Sequence, residues 1–141
     1  MANINSAGLD YDVQHAGTWG NVAVATAKID VSAANIADVF QFLRLPAYVD
    51  LLDAILIVSN AGDALSTLTL GYVNTDGTAG GSTSHFLGAT AISATGLTRA
   101  DGATGIVTPA KDITIVGTLA GANLTQQTIV EAIVFYRYTG K

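Results

Sequence analysis

The stretch from Phe40 to Val73 limits the possible folds more than any other part of the chain. A Leu45-Pro46 corner leads into Leu51-Leu52-Asp53-Ala54-Ile55-Leu56-Ile57-Val58, and after a turn the chain reads Leu65-Ser66-Thr67-Leu68-Thr69-Leu70-Gly71-Tyr72-Val73. A nearly continuous aliphatic run suits a strand covered on both faces, whereas alternation of apolar and hydroxyl residues suits a strand with one face on a core. The two are expected to be neighbouring strands of one β-sheet. No catalytic constellation comes with them.

The same reading extends to both sides. Val22 to Val31 alternates, with Val22, Val24, Thr26, Lys28 and Asp30 on one face and Ala23, Ala25, Ala27, Ile29 and Val31 on the other, which predicts a strand. Val39 to Leu45 predicts a strand that stops before Pro46, because proline cannot donate to a ladder and drives its predecessor out of the α region. Asn74 to Thr83 is a Gly/Ser/Thr/Asp loop, and Ser84 to Ser93 fits a short helix or a strand equally. Leu97 to Gly105 reads as a turn region, and Ile106 to Thr108 as a short strand stopped by Pro109. Asp112 to Leu119 alternates again. Gln127 to Tyr138 forms the last long strand, with Ile129, Glu131, Ile133, Phe135 and Arg137 on one face and Val130, Ala132, Val134, Tyr136 and Tyr138 on the other.

Seven or eight such strands separated by Gly- and Asn-containing turns predict an all-β, two-sheet antiparallel β-sandwich, of which the jelly roll is one version. The expected organisation is an extended N-terminal arm over residues 1–20 and a single sandwich domain over residues 21–141. The arm lacks periodicity yet carries Tyr11, His15 and Trp19, and aromatic side chains of that size are expected to pack on the arm's own domain or on a neighbour.

Charge narrows the function. Only 12% of the residues are charged, against about 25% in typical soluble domains, so much of the surface is expected to meet other protein. The net charge is −5, and the basic residues Lys28, Arg44, Arg99, Lys111, Arg137 and Lys141 are scattered, which argues against nucleic acid as a partner. The absence of cysteine excludes disulfides and thiolate metal sites. The first residues show neither a basic n-region nor an apolar h-region, and no apolar run reaches about 18 residues, so no membrane partner is expected and the chain is expected to be made and kept in a cytoplasm.

The candidate chemistry is thin. Tyr72 to Gly77 ends like a calcium loop, but Tyr72 and Thr83 stand where its first ligand and its bidentate glutamate belong. His15 and His85 have no paired ligand spacing. The carboxylate pairs Asp10/Asp12 and Asp50/Asp53 are local, not opposed across a cleft. Asp53, inside an aliphatic run, either pairs with Arg44 or Arg137 or points to solvent. Gly80 to Ser84 lacks the closing glycine of a nucleophile elbow. These residues predict a non-enzymatic protein without a metal or cofactor.

The order of features supplies one resemblance. A polar arm, Arg44-Leu45-Pro46 before an aliphatic strand, Leu68-Thr69-Leu70-Gly71-Tyr72, a small-residue loop and a final strand Ile133-Val134-Phe135-Tyr136-Arg137-Tyr138 together resemble the small Ala/Gly/Thr-rich virion proteins of tailed bacteriophages that decorate or cement the head. The resemblance implies a capsid-surface protein made in the host cytoplasm. Its partners would be the major capsid protein and further copies of itself, commonly in a homotrimer. The expected protein-interface residues are Tyr11, His15, Trp19, Arg44, Tyr136 and Tyr138. A different class of function, a phage tail or receptor- and carbohydrate-binding sandwich, would place its site at Trp19, Tyr72 and the Asn74 to Thr83 loop.

Overall fold

The computed structural model describes residues 1–5, 22–101 and 105–139. Nine strands are assigned: β1 (Asn3–Asn5), β2 (Val22–Val31), β3 (Val39–Leu45), β4 (Val49–Asn60), β5 (Thr67–Asn74), β6 (Gly81–Ala91), β7 (Gly96–Arg99), β8 (Ile113–Ala120) and β9 (Thr128–Tyr138). They form a five-stranded sheet in the order β1-β3-β8-β5-β6 and a four-stranded sheet in the order β2-β9-β4-β7. Strands β2 to β9 pair antiparallel as nested partners, β2 with β9, β3 with β8, β4 with β7 and β5 with β6. That nesting, divided between two sheets, is a jelly roll. The exception to antiparallel pairing is β1, part of the expected arm, which adds parallel to β3.

The core lies between the sheets and follows the period-2 patterns. Ala25, Ala27, Ile29 and Val31 of β2, Leu56 and Val58 of β4, and Val130, Ala132, Val134 and Tyr136 of β9 turn inward. They meet Phe40, Phe42, Leu43 and Leu45 of β3, Leu68 and Leu70 of β5, and Ile113, Ile115 and Leu119 of β8. Burying a large aliphatic or aromatic side chain is worth about 1.5–3 kcal/mol, so this layer is the main source of stability.

One expectation is corrected. The runs within β4 and β5 are not neighbours, because β4 pairs with β9 and β7 while β5 pairs with β8 and β6, in the opposite sheet. The connection between them crosses the sandwich, and hydrogen bonds from Gly62 N–H to Ile92 C=O and from Ile92 N–H to Ser66 C=O tie it down. The Pro46 corner does the same between β3 and β4. Proline ends the β3 ladder, Ala47 N–H donates to Asp112 Oδ1 at 2.9 Å, and Tyr48 turns the chain through a positive φ of 61°.

Strand β6 resolves the ambiguity at Ser84 to Ser93 in favour of a strand, but not a regular one. Leu70 pairs with Leu87 whereas Tyr72 pairs with Ser82, so β6 carries surplus residues between those two positions. That surplus lies directly over Gly71. A Cβ there would fall 2.1 Å from Ser82 O and 2.4 Å from Thr83 C, so only glycine fits. The expected strand at Ile106 to Thr108 is reduced to one bridge, Val107 with Leu51, and the expected turn after Leu97 contains β7.

The N-terminus is anchored by a carboxylate. Asp38 accepts from Ala2 N–H and from Asn35 N–H, each at 2.8 Å, and these two bonds hold its pKa below the usual range.

Candidate functional site

The polar groups are consumed by structure. Asp50 accepts from Thr108 Oγ1 at 2.6 Å and from Arg137 Nε and Nη2 at 3.0 and 2.5 Å, and these bonds, Thr108 foremost, depress its pKa. Asp53 pairs with Arg99, whose Nε lies 2.6 Å from Oδ2. The partner is therefore neither Arg44 nor the solvent, and Asp50 is the residue that takes Arg137. Asp63 holds Thr125 through its backbone N–H and hydroxyl. Lys111 Nζ spans Asp76 Oδ2 at 2.8 Å and Thr78 Oγ1 at 2.7 Å, which keeps the Asp76 carboxyl far below the usual range. Among the described residues no group of three or more His, Asp or Glu side chains is placed to hold a metal ion.

Two hollows exist. One is lined by Ala47, Thr75, Asp76, Lys111 and Asp112 and contains the Lys111 bridge. The other, lined by Leu52, Asp53, His85, Phe86, Ala100, Gly105 and Ile106, contains the only described histidine. The His85 ring sits edge-on to Tyr72 and Phe86, with centroids 5.4 and 4.9 Å away, and burial pushes its pKa down, so it is neutral at pH 7. Asp53 is already held by Arg99, so among the described residues lining this hollow no free carboxylate stands opposite His85.

The outstanding surface is the outer side of the four-stranded sheet. Residues opposite each other in a ladder project to the same side. Phe135 stands between Val24 and Asp53, Ile133 between Thr26 and Ile55, and Glu131 between Lys28 and Ile57, while Leu97 and Arg99 face Ile57 and Ile55 from β7. Val24 and Leu97 are 51% and 62% exposed, and Ile55, Ile57, Ile133 and Phe135 are half-buried. The result is an aliphatic and aromatic field rimmed by the Arg99–Asp53 and Arg137–Asp50 ion pairs and by Lys28 opposite Glu131.

The residues expected at an interface are dispersed. Tyr11, His15 and Trp19 lie outside the described residues. Tyr136 is 1% exposed and turned into the core, and Tyr138 packs against the core's edge. Arg44 lies on β3, opposite Thr114, with its Nε buried and without a hydrogen bond among the described residues. Tyr72 is buried as well, at 7% exposure. The apolar field was not singled out from the sequence, although two signals carried it: the unbroken aliphatic run of β4 and the Ile129/Ile133/Phe135 side of β9.

No protein-family model matches the chain, and no curated protein sequence matches it. Solved structures do. A chain in the capsid of Ralstonia phage GP4 is 18% identical with a TM-score of 0.77, the match covering 99% of this chain and 100% of that one. A chain of the cyanophage Pam1 capsid asymmetric unit is 20% identical with a TM-score of 0.64, covering 95% and 96%. A chain of the acidic stable capsid structure of Helicobacter pylori bacteriophage KHP30 is 17% identical with a TM-score of 0.55, covering 82% and 91%. At these identities the likeness concerns the fold. In the first two, nearly all of both chains is covered, so those matched chains are of about the same length as this one.

Proposed function

We propose that this chain is a structural, non-enzymatic protein of a bacteriophage virion that binds the head surface as a decoration or cement protein. The observation that carries the reading is the fold match with chains from three phage capsids, nearly end to end for two of them and over 82% of this chain for the third. The polar chemistry agrees with it, since the carboxylates of the described residues are mostly spent on backbone caps and ion pairs. A 12% charged chain also suits a protein that works by covering surface.

The work of such a protein is binding area repeated by symmetry: one weak contact, multiplied over a shell, becomes a strong one. Its partners are the major capsid protein and other copies of itself, three copies being the number implied by the sequence resemblance. Residues 1–20, with Tyr11 and Trp19, are assigned one contact with the head or with a neighbouring subunit. The test is reconstitution. Heads assembled without the chain should leak DNA at a lower temperature than complete heads, and adding the purified chain should restore the difference. Heads of equal stability with and without it, on which it does not sediment, would overturn the reading.

A further inference from the structure

We propose that Arg44, on the outer side of the five-stranded sheet, is a carboxylate-binding site filled by an acid of a second copy of this chain, so that copies join head to tail. Every other base among the described residues already stands against an acid: Arg99 pairs with Asp53, Arg137 with Asp50 and Lys111 with Asp76, while Lys28 lies opposite Glu131. Arg44 has no such acid beside it. Its Nε is buried and makes no hydrogen bond among the described residues. A guanidinium donor withdrawn from water is unfavourable until an acceptor meets it.

The surroundings select a carboxylate. Among the strands of the five-stranded sheet, Arg44 is the only Asp, Glu, Lys or Arg. Across the ladder from it stand Thr114 and Val73, and the next row on the same side is Gln41, Val116 and Gly71. The Thr114 hydroxyl is engaged by the Thr75 hydroxyl at 3.0 Å. The carboxylates at that end of the sheet, Asp76 and Asp112, accept from Lys111 Nζ and from Ala47 N–H. A planar fork of donors on an otherwise uncharged face fits a carboxylate, the acceptor that arginine engages through two parallel bonds.

Charge also points to the source. The chain carries 11 acids against 6 bases, so a second copy brings acids that no base of its own neutralises, and the sheet around Arg44 attracts them. The same sheet cannot satisfy its own image. Its strands hold no acid, so a two-fold contact would set Arg44 against another Arg44. The acid must therefore come from a different surface of the next copy. A contact of that kind is heterologous, and it closes as a ring or runs on as a chain instead of stopping at a dimer. It rests on the self-association proposed above and adds to it a site and a symmetry.

The purified full-length chain is measured by light scattering and sedimentation across a micromolar concentration series, as wild type, Arg44→Leu, Arg44→Lys and Lys111→Gln. The last removes a positive charge already paired with Asp76 and so controls for net charge. The wild type and this control should have a mass above that of a dimer. Arg44→Leu should associate at least about tenfold more weakly, as expected for an arginine anchoring a contact. Arg44→Lys, which keeps the charge but not the fork, should fall between the two, and it keeps the test alive if the leucine variant fails to fold. Urea unfolding at a dilution where the copies separate tells an acid of another copy from one within the chain. There Arg44→Leu should be no less stable than the wild type, because it removes an unpaired buried donor. A monomeric or dimeric wild type, Arg44→Leu at the wild-type mass, an equal loss in Lys111→Gln, or a less stable Arg44→Leu in the dilute state would each overturn the proposal. Arg44-dependent oligomers that do not sediment with heads would support the contact and count against the head reading alone.

Discussion

Replacing Gly71 by alanine tests the most specific feature of the jelly roll, the passage of β6 over β5. The added methyl would lie 2.1 Å from Ser82 O, 2.4 Å from Thr83 C and 2.7 Å from Ser84 N. Those are backbone atoms, so no side chain can swing aside, and ordinary contact at 3.4 Å or more requires β6 to retreat by about 1 Å. Overpacking of a tight site costs about 1–3 kcal/mol, and displacing backbone belongs at the upper end, about 3 kcal/mol. For a chain of this size that lowers Tm by roughly 10 °C. Gly88 supplies the internal control, because it lies on β6, the strand that passes over Gly71, but a Cβ there meets nothing within 4 Å. Gly88→Ala should therefore be neutral or stabilising by about 0.5 kcal/mol, the usual advantage of alanine over glycine inside a strand. The assay is thermal unfolding followed by circular dichroism, with hydrogen exchange on β5 and β6. If Gly71→Ala melts with the wild type, the described β5–β6 crossing is wrong.

Two further outcomes concern titrating groups. Asp50→Asn should lose about 1.5 kcal/mol at pH 7, the lower range for charge-assisted hydrogen bonds because the Arg137 side chain is 45% exposed and can turn to water. Since the Asp50 pKa is depressed in the fold, its contribution is complete above the unfolded value near 4 and disappears as pH falls through the folded value, so variant and wild-type stabilities should converge in acid urea titrations. His85 acts at higher pH. Its folded pKa is lowered by burial, so the unfolded chain takes the proton first as pH drops below about 6.5 and stability declines from there. His85→Phe, between Tyr72 and Phe86, should flatten that slope, and an unchanged slope would show that other groups cause it.

Local patterning explains which parts of this fold were legible. Strands β2 and β9 alternate without interruption, and a period of two reports both the strand and its buried side. Pro46 marked the end of β3 because its missing N–H leaves a ladder no alternative. The placement of β4 beside β5 failed for a physical reason. Which sheet a strand enters is decided by partners far along the chain, β9 for one and β8 for the other, and sequence proximity says nothing about them. Strand β6 was ambiguous because its surplus residues over Gly71 break the alternation on which the reading depends. The Asp53 partner was missed because Arg99 comes from a segment that read as a turn, and only the pairing of Ile55 with Arg99 brings it alongside. The apolar outer face of the four-stranded sheet was half-visible. A strand that looks covered on both sides was recognised in Leu51 to Val58, but the second cover is not among the strands described.

Cryo-electron microscopy of purified heads tests the central claim most directly, with heads from phage encoding the chain compared with heads from phage in which its gene is disrupted. The account predicts jelly-roll density on the outer surface, repeated at symmetry-equivalent positions, that fits this chain and vanishes from the disrupted particles. Identical maps from the two, with the chain missing from head proteins resolved by mass spectrometry, would contradict it.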